Sequence, residues 1–161
     1  MAFLRSINQI RNIQWGRSYH WDVKFEDGPP SPFNEFFPAQ EVEEETASLQ
    51  SIDAEAPGTS LKFPHKTASK SVRITFVDDA SYTLYNWLEN WYNTEILNDG
   101  DYISTLEEAT KQITIQKLDS NQNVIIQTSY WVYPEDILTF RGNSSSQLNV
   151  YTIPFIIAGI I

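Results

Sequence analysis

His20 and Asp22 stand two apart in the segment Tyr19-His-Trp-Asp-Val-Lys-Phe25, the spacing that puts a general base and an orienting carboxylate on one side of an extended strand. No nucleophile in a recognisable setting accompanies them, and an exposed strand face commonly carries such residues. A second pair, Asp78 and Asp79, has the hard oxygen donors a divalent cation takes. It also precedes a change from strand to helix periodicity, where carboxylates serve as caps and meet the positive end of the helix dipole. Capping is the reading we favour. With His20 and His65 the only histidines and no Cys, a multi-histidine cluster, a Cys-based zinc site, a disulfide scaffold and a thiol nucleophile are excluded. The six glycines are scattered and form no Gly-x-Gly phosphate loop. The sequence therefore leads us to expect no enzyme, no catalytic residue, no cofactor and no metal.

The remaining chemistry is charge and aromatic surface. Acidic residues number 21 against 11 basic, for a net charge of −10, which argues against a general nucleic-acid binder because phosphate neutralisation needs Lys and Arg. It leaves open a protein past which DNA must slide without sticking. The densest charge is Glu41-Val-Glu-Glu-Glu45. It reads either as a solvated edge that discourages strand pairing or as an acidic lining facing a polyanion, with Glu41, Glu43 and Glu45 the candidate lining residues. Five Trp and eight Tyr supply stacking surface. A carbohydrate- or peptide-binding β-domain, using Trp15, Trp21 or Trp131 in a groove, is the alternative of another class.

These residues need elements to hold them. A length of 161 residues suits one domain, 1–161, with residues 1–15 as an N-terminal arm or short helix and 16–161 as a β domain. Phe3, Leu4 and Ile7 fall near helical spacing in the arm. Tyr19 to Glu26 alternates as a strand, and Asp27-Gly-Pro-Pro-Ser-Pro32 forces a loop. Gln40 to Ala54 reads as one long polar strand, and Gly58 turns the chain towards Leu61 and Phe63. Ser71 to Val77 is the clearest strand. From about 80 to 97 the period becomes helical, with Tyr82, Tyr85, Leu88, Trp91 and Tyr92 as its stripe and Leu84 and Trp87 widening it. Ile113 to Val132 is a hairpin about Asp119–Asn123, closed by Pro134, and Leu148 to Ile157 is a last strand. That order predicts an α+β domain, mainly antiparallel β, with one flanking helix.

Two further expectations concern solvent and partners. The first residues show no secretory signal, and the most apolar stretch, 153–161, is nine residues broken by Pro154 and Gly159, too short to span a bilayer. The expectation is a soluble chain made in a cytoplasm, with no membrane partner. In the same stretch Ile156 and Ile157 are adjacent, as are Ile160 and Ile161, so both faces of a terminal strand would be apolar. Together with Ile153 and Phe155, and with Phe3, Leu4 and Ile7 of the arm, they are the candidate subunit interface of an oligomer.

In this order the elements resemble the tail-tube proteins of contractile-tailed, T4-like bacteriophages, a family that includes baseplate tube initiators. The residues carrying the likeness are Tyr19–Phe25, Phe37-Pro-Ala-Gln-Glu-Val42, Ser71-Val-Arg-Ile-Thr-Phe-Val-Asp-Asp79 with the helix around Tyr85–Trp91, and the hairpin ending Val132-Tyr-Pro134 before the closing strand. The resemblance implies a β-sandwich or barrel-like domain with one flanking helix. It implies six copies in a ring whose strands join around a channel, stacked into a tube of the virion tail. The implied partners are adjacent rings, tail sheath or baseplate hub proteins, and DNA passing without specific binding. A baseplate initiator ring between hub and tube is the alternative within the family.

Overall fold

The computed structural model describes residues 20–34, 37–45, 49–67, 70–135, 138, 140, 144 and 148–160. The arm with Phe3, Leu4 and Ile7, as well as Trp15 and Ile161, lies outside them.

Among the described residues eight strands form: β1 (Trp21–Phe25), β2 (Ala39–Glu45), β3 (Leu49–Ala56), β4 (Thr59–Thr67), β5 (Ser71–Val77), β6 (Lys111–Leu118), β7 (Val124–Pro134) and β8 (Val150–Ile160). Six make one sheet in the order β1-β6-β7-β8-β5-β2, and β3 and β4 pair in a second, two-stranded sheet. Every pairing is antiparallel. The single long strand expected over Gln40 to Ala54 is two strands in two different sheets. Its polar sequence carries too little hydropathy contrast to mark the change. Pro134 does not close β7 but belongs to it, opposite Phe155.

Period-two alternation sorts the six strands into two faces. Val23, Phe25, Val72, Ile74, Phe76, Ile113, Ile115, Tyr130, Val132, Tyr151, Ile153 and Phe155 are buried on one of them. Helix α1 (Thr83–Asn90) covers that face with Leu84 and Leu88, and continues as a π-helical turn, Trp91–Ile96, that buries Trp91. The rings interlock edge-on: Phe25 lies 5.1 Å from Phe37, 5.2 Å from Trp87 and 6.1 Å from Trp91, the tilted geometry that aromatic quadrupoles favour. A short helix α2 (Leu106–Ala109) then leads into β6.

Of the expected stripe, Leu84, Leu88 and Trp91 are the buried members. Tyr85 and Tyr92 are half-buried and Tyr82 is exposed, because a tyrosine can count as apolar in sequence while keeping its hydroxyl wet.

The sheet curls strongly. Tyr130 Oη on β7 donates to Glu44 Oε1 on β2 at 2.6 Å, although β2 is three strands away and a flat sheet would hold the strands roughly 14 Å apart. Burial and then the Glu44 carboxylate push the Tyr130 phenol up to about 12. The bond ties the central strand β7 to the edge strand β2 across the bend.

Candidate assembly surfaces

The face of the sheet turned away from α1 is polar. Cross-strand partners bond to each other there: Thr114 to Ser129 at 2.9 Å, Gln116 Nε2 to Gln127 Oε1 at 2.9 Å, and Thr75 to Thr152 at 3.0 Å. These uncharged side chains spend their donors on one another, and the exposed Lys24 and Arg73 share the face with them. Glu41, Glu43 and Glu45 lie along its β2 margin, all three exposed and all on this face. Glu44 alternates to the other side, where it holds Tyr130 and lies 4.0 Å from Lys117. Arg73 is paired in register with Glu43 and is exposed beside the three glutamates.

The β3–β4 hairpin offers a surface of opposite kind. Gly58 turns it with φ of +81°, a left-handed conformation that suits a residue without Cβ. Register pairs Ile52 with Phe63 and Ala54 with Leu61 on one side, and Asp53 with Lys62 and Glu55 with Ser60 on the other. The apolar side is bare: Ile52, Leu61 and Phe63 are 48%, 48% and 47% exposed. A two-stranded ribbon outside any larger sheet is marginal in water, and a bare apolar face marks an interaction surface. The sequence held its signal in the alternation of Leu61 and Phe63 after Gly58, but only pairing with Ile52 turns isolated residues into a face.

The expected interface at the chain's end divides. Ile153 and Phe155 are 1% and 0% exposed in the chain's own core, which corrects their assignment to a subunit contact. Strand β8 is apolar because it is central, flanked by β5 and β7, and it did not need a second subunit to explain it. Ile157 packs against the core, and an irregularity between Trp131 and Val132 resets the alternation. Ile156 stays half-exposed on the polar face opposite Ser71 and Tyr133. The backbone of Ile160 ends β8, and its side chain lies outside the description, as does all of Ile161.

The candidate chemical pairs resolve into structure. Asp22 Oδ1 accepts from the N–H of Val23 at 2.8 Å, and the carbonyl of His20 accepts from Leu118 N–H. Asp78 is buried, and its carboxylate accepts from the N–H groups of Asp79, Leu84 and Tyr85 at 2.9–3.0 Å. Asp79 accepts from Thr83 N–H at 2.9 Å and from Thr83 Oγ1 at 2.7 Å. Both carboxylates are thus spent on the start of α1. Among the described residues there is no cluster of three acidic or histidine side chains placed to hold a metal, and no helix long and apolar enough to cross a membrane. Of the tryptophans expected in a groove, Trp21 packs against the core. Trp131 is 43% exposed and lies beside Gly159, one side of the polar face.

Hydrogen bonds to the ionised form hold Asp79, through Thr83, and Asp119, through Asn123 at the β6–β7 turn, below their usual value of 3.8. A carboxyl depressed in the folded chain stabilises it above the unfolded value and loses that contribution as pH falls through the folded one. Thermal unfolding followed from pH 7 down to about 2.5 should therefore show a loss beginning below about pH 4. The Asp79→Asn/Asp119→Asn chain should show a shallower loss, and an unchanged acid slope would remove these two groups as its source.

Solved structures share this fold over nearly its whole length. A chain of the PVC sheath–tube complex in its extended state, from an extracellular contractile injection system, superposes with a TM-score of 0.66 at 18% identity. It covers 97% of this chain and 96% of its own. The cap that terminates the tube of the anti-feeding prophage matches with a TM-score of 0.67 at 14% identity, over 92% and 91%. This chain has the tail-tube fold. A chain of the anti-feeding prophage baseplate, solved with six-fold symmetrisation, also superposes, with a TM-score of 0.59 at 12% identity over 92% and 96%. These neighbours are components of contractile injection systems or of the anti-feeding prophage. No family model matches the sequence, and no curated protein does.

Proposed function

We propose that this chain is the ring-forming subunit of a contractile tail tube, six copies closing into a ring and rings stacking into a conduit for DNA in the virion tail. The observation that carries the reading is the match to a sheath–tube chain over nearly all of both chains. The polar, laddered sheet face with Glu41, Glu43 and Glu45 at its margin is the lumen wall in this reading. The bare side of the β3–β4 hairpin is the contact covered by a neighbouring copy, since a head-to-tail interface with the right rotation closes into a ring. Adjacent rings, sheath and baseplate proteins are the partners. Electron microscopy of the purified protein across a concentration series tests this. Hollow tubes support the repeated subunit, and a chain monomeric at high concentration overturns it.

The match to a baseplate chain favours a second reading, a baseplate ring on which the tube starts. Discrete rings that never stack would decide for it.

Assembled rings carrying Glu41→Lys, Glu43→Lys and Glu45→Lys should still form but should retain duplex DNA at low salt, releasing it as salt rises, because each lysine adds phosphate contacts and counterion release. Filter retention of labelled DNA measures this. Failure of the variant rings to hold DNA would leave the glutamates as edge protection only.

A further inference from the structure

We propose that the exposed flank of α1 and its π turn is a docking groove for an extended, arginine- or lysine-bearing segment of another protein. The inference does not depend on ring formation. Two open hollows of about 440 and 360 Å³ run along this flank, the first lined by Tyr82 and Phe140, the second by Glu89, Tyr92 and Glu135, with Tyr85 shared by both. From Tyr82 to Tyr92 the groove is about 15 Å long, the reach of four or five extended residues.

Its chemistry has one sign. Among the described lining residues there are carboxylates and aromatic rings but no Lys or Arg, on a chain of net charge −10. Tyrosine faces beside carboxylates hold a guanidinium or ammonium by cation–π attraction and charge-assisted hydrogen bonds together. The rings are already arranged: Tyr82 meets Tyr85 and Phe140 edge-on, with centroids 6.4 and 5.9 Å apart.

Two independent features point to the same place. Tyr82 sits at φ 55°, ψ 39°, the left-handed region that a bulky side chain enters at a cost and that clusters at ligand clamps. It is held there because its N–H donates to the Asp79 carbonyl and its own carbonyl accepts from Asn86 N–H. Beneath the groove the Tyr151 ring contacts Tyr85, with centroids 6.0 Å apart, and its buried hydroxyl has no hydrogen-bond partner. A buried hydroxyl left unpaired costs stability unless something satisfies it. The groove lies on the helix side of the sheet, so a segment seated in it leaves the polar face free.

Fluorescence anisotropy with a fluorescein-labelled Gly-Arg-Leu-Arg-Leu-Arg peptide tests the groove on the whole chain, assembled or not. Glu89 and Glu135 are exposed, so Glu89→Lys with Glu135→Lys should fold as the parent does by circular dichroism. That pair should weaken binding by about tenfold or more, whereas Glu41→Lys with Glu43→Lys, the same change in net charge, should weaken it by less than about twofold. Tyr82→Ala should also weaken it severalfold without altering charge. Equal losses from the two lysine pairs, unchanged binding by the Tyr82→Ala chain, or no binding by the parent would each overturn the proposal.

Discussion

The Trp91→Ala chain should be less stable than the parent by about 4 kcal/mol, within the range for deleting a buried aromatic side chain. Trp91 is fully buried, and three losses coincide at it. Its ring stacks on Phe155 at 5.8 Å and meets Phe25 edge-on at 6.1 Å, so truncation opens a cavity between helix and sheet. Its Nε1–H donates to the Ala109 carbonyl at 2.8 Å, which would be left buried without that donor. Its face also lies 5.3 Å beneath Lys111 Nζ, whose other partner is Glu95 at 2.7 Å, and a buried ammonium that sheds its ring neighbour keeps only that carboxylate. Urea unfolding at matched slope measures the difference. A loss under about 1 kcal/mol would show that the π turn can collapse onto the sheet and that Trp91 is not its anchor. Against a domain's total of about 5–15 kcal/mol the expected loss is large enough to lower the yield of folded chain.

How much of this was legible in the sequence depended on where each residue's neighbours lie along the chain. Strand β5 was readable residue for residue because Val72, Ile74 and Phe76 alternate strictly with polar partners. The role of Asp78 and Asp79 at the start of α1 was readable because they act within seven residues of themselves, although the N-cap position itself is Tyr82. The boundary between β2 and β3 was not, since a polar strand on a wetted face and a polar strand on a free hairpin have the same composition. Strand β8 did not make the burial of Ile153 and Phe155 in the chain's own core legible. Its run of isoleucines suggested a partner chain, but register with Ser71–Val77, some eighty residues earlier in the chain, makes it a central strand. The groove on the flank of α1 was invisible for a related reason: Glu135 and Phe140 reach it from beyond β7, and the left-handed backbone at Tyr82 breaks the helical spacing that would have placed its ring.

Replacing Leu61 and Phe63 by serine should leave the chain as stable as the parent and unable to assemble at the parent's concentration. The fold is spared because β3 and β4 pair with each other and add no strand to the six-stranded sheet. Both side chains are about half exposed, and exposed substitutions cost within about 0.5 kcal/mol. Assembly has no such protection. Covering the exposed half of a leucine and of a phenylalanine contributes about 1 kcal/mol or more each per contact. Losing both raises the concentration needed for each contact by about thirtyfold or more. A closed ring repeats the contact at every junction, so the effect compounds across the ring. Thermal unfolding and sedimentation on the same preparation separate the two consequences. An unchanged midpoint with loss of rings supports the hairpin as the joining arm, whereas intact rings would move the joint to the sheet edges at β1 and β2. A lowered midpoint would show instead that the hairpin's apolar side is covered by its own chain.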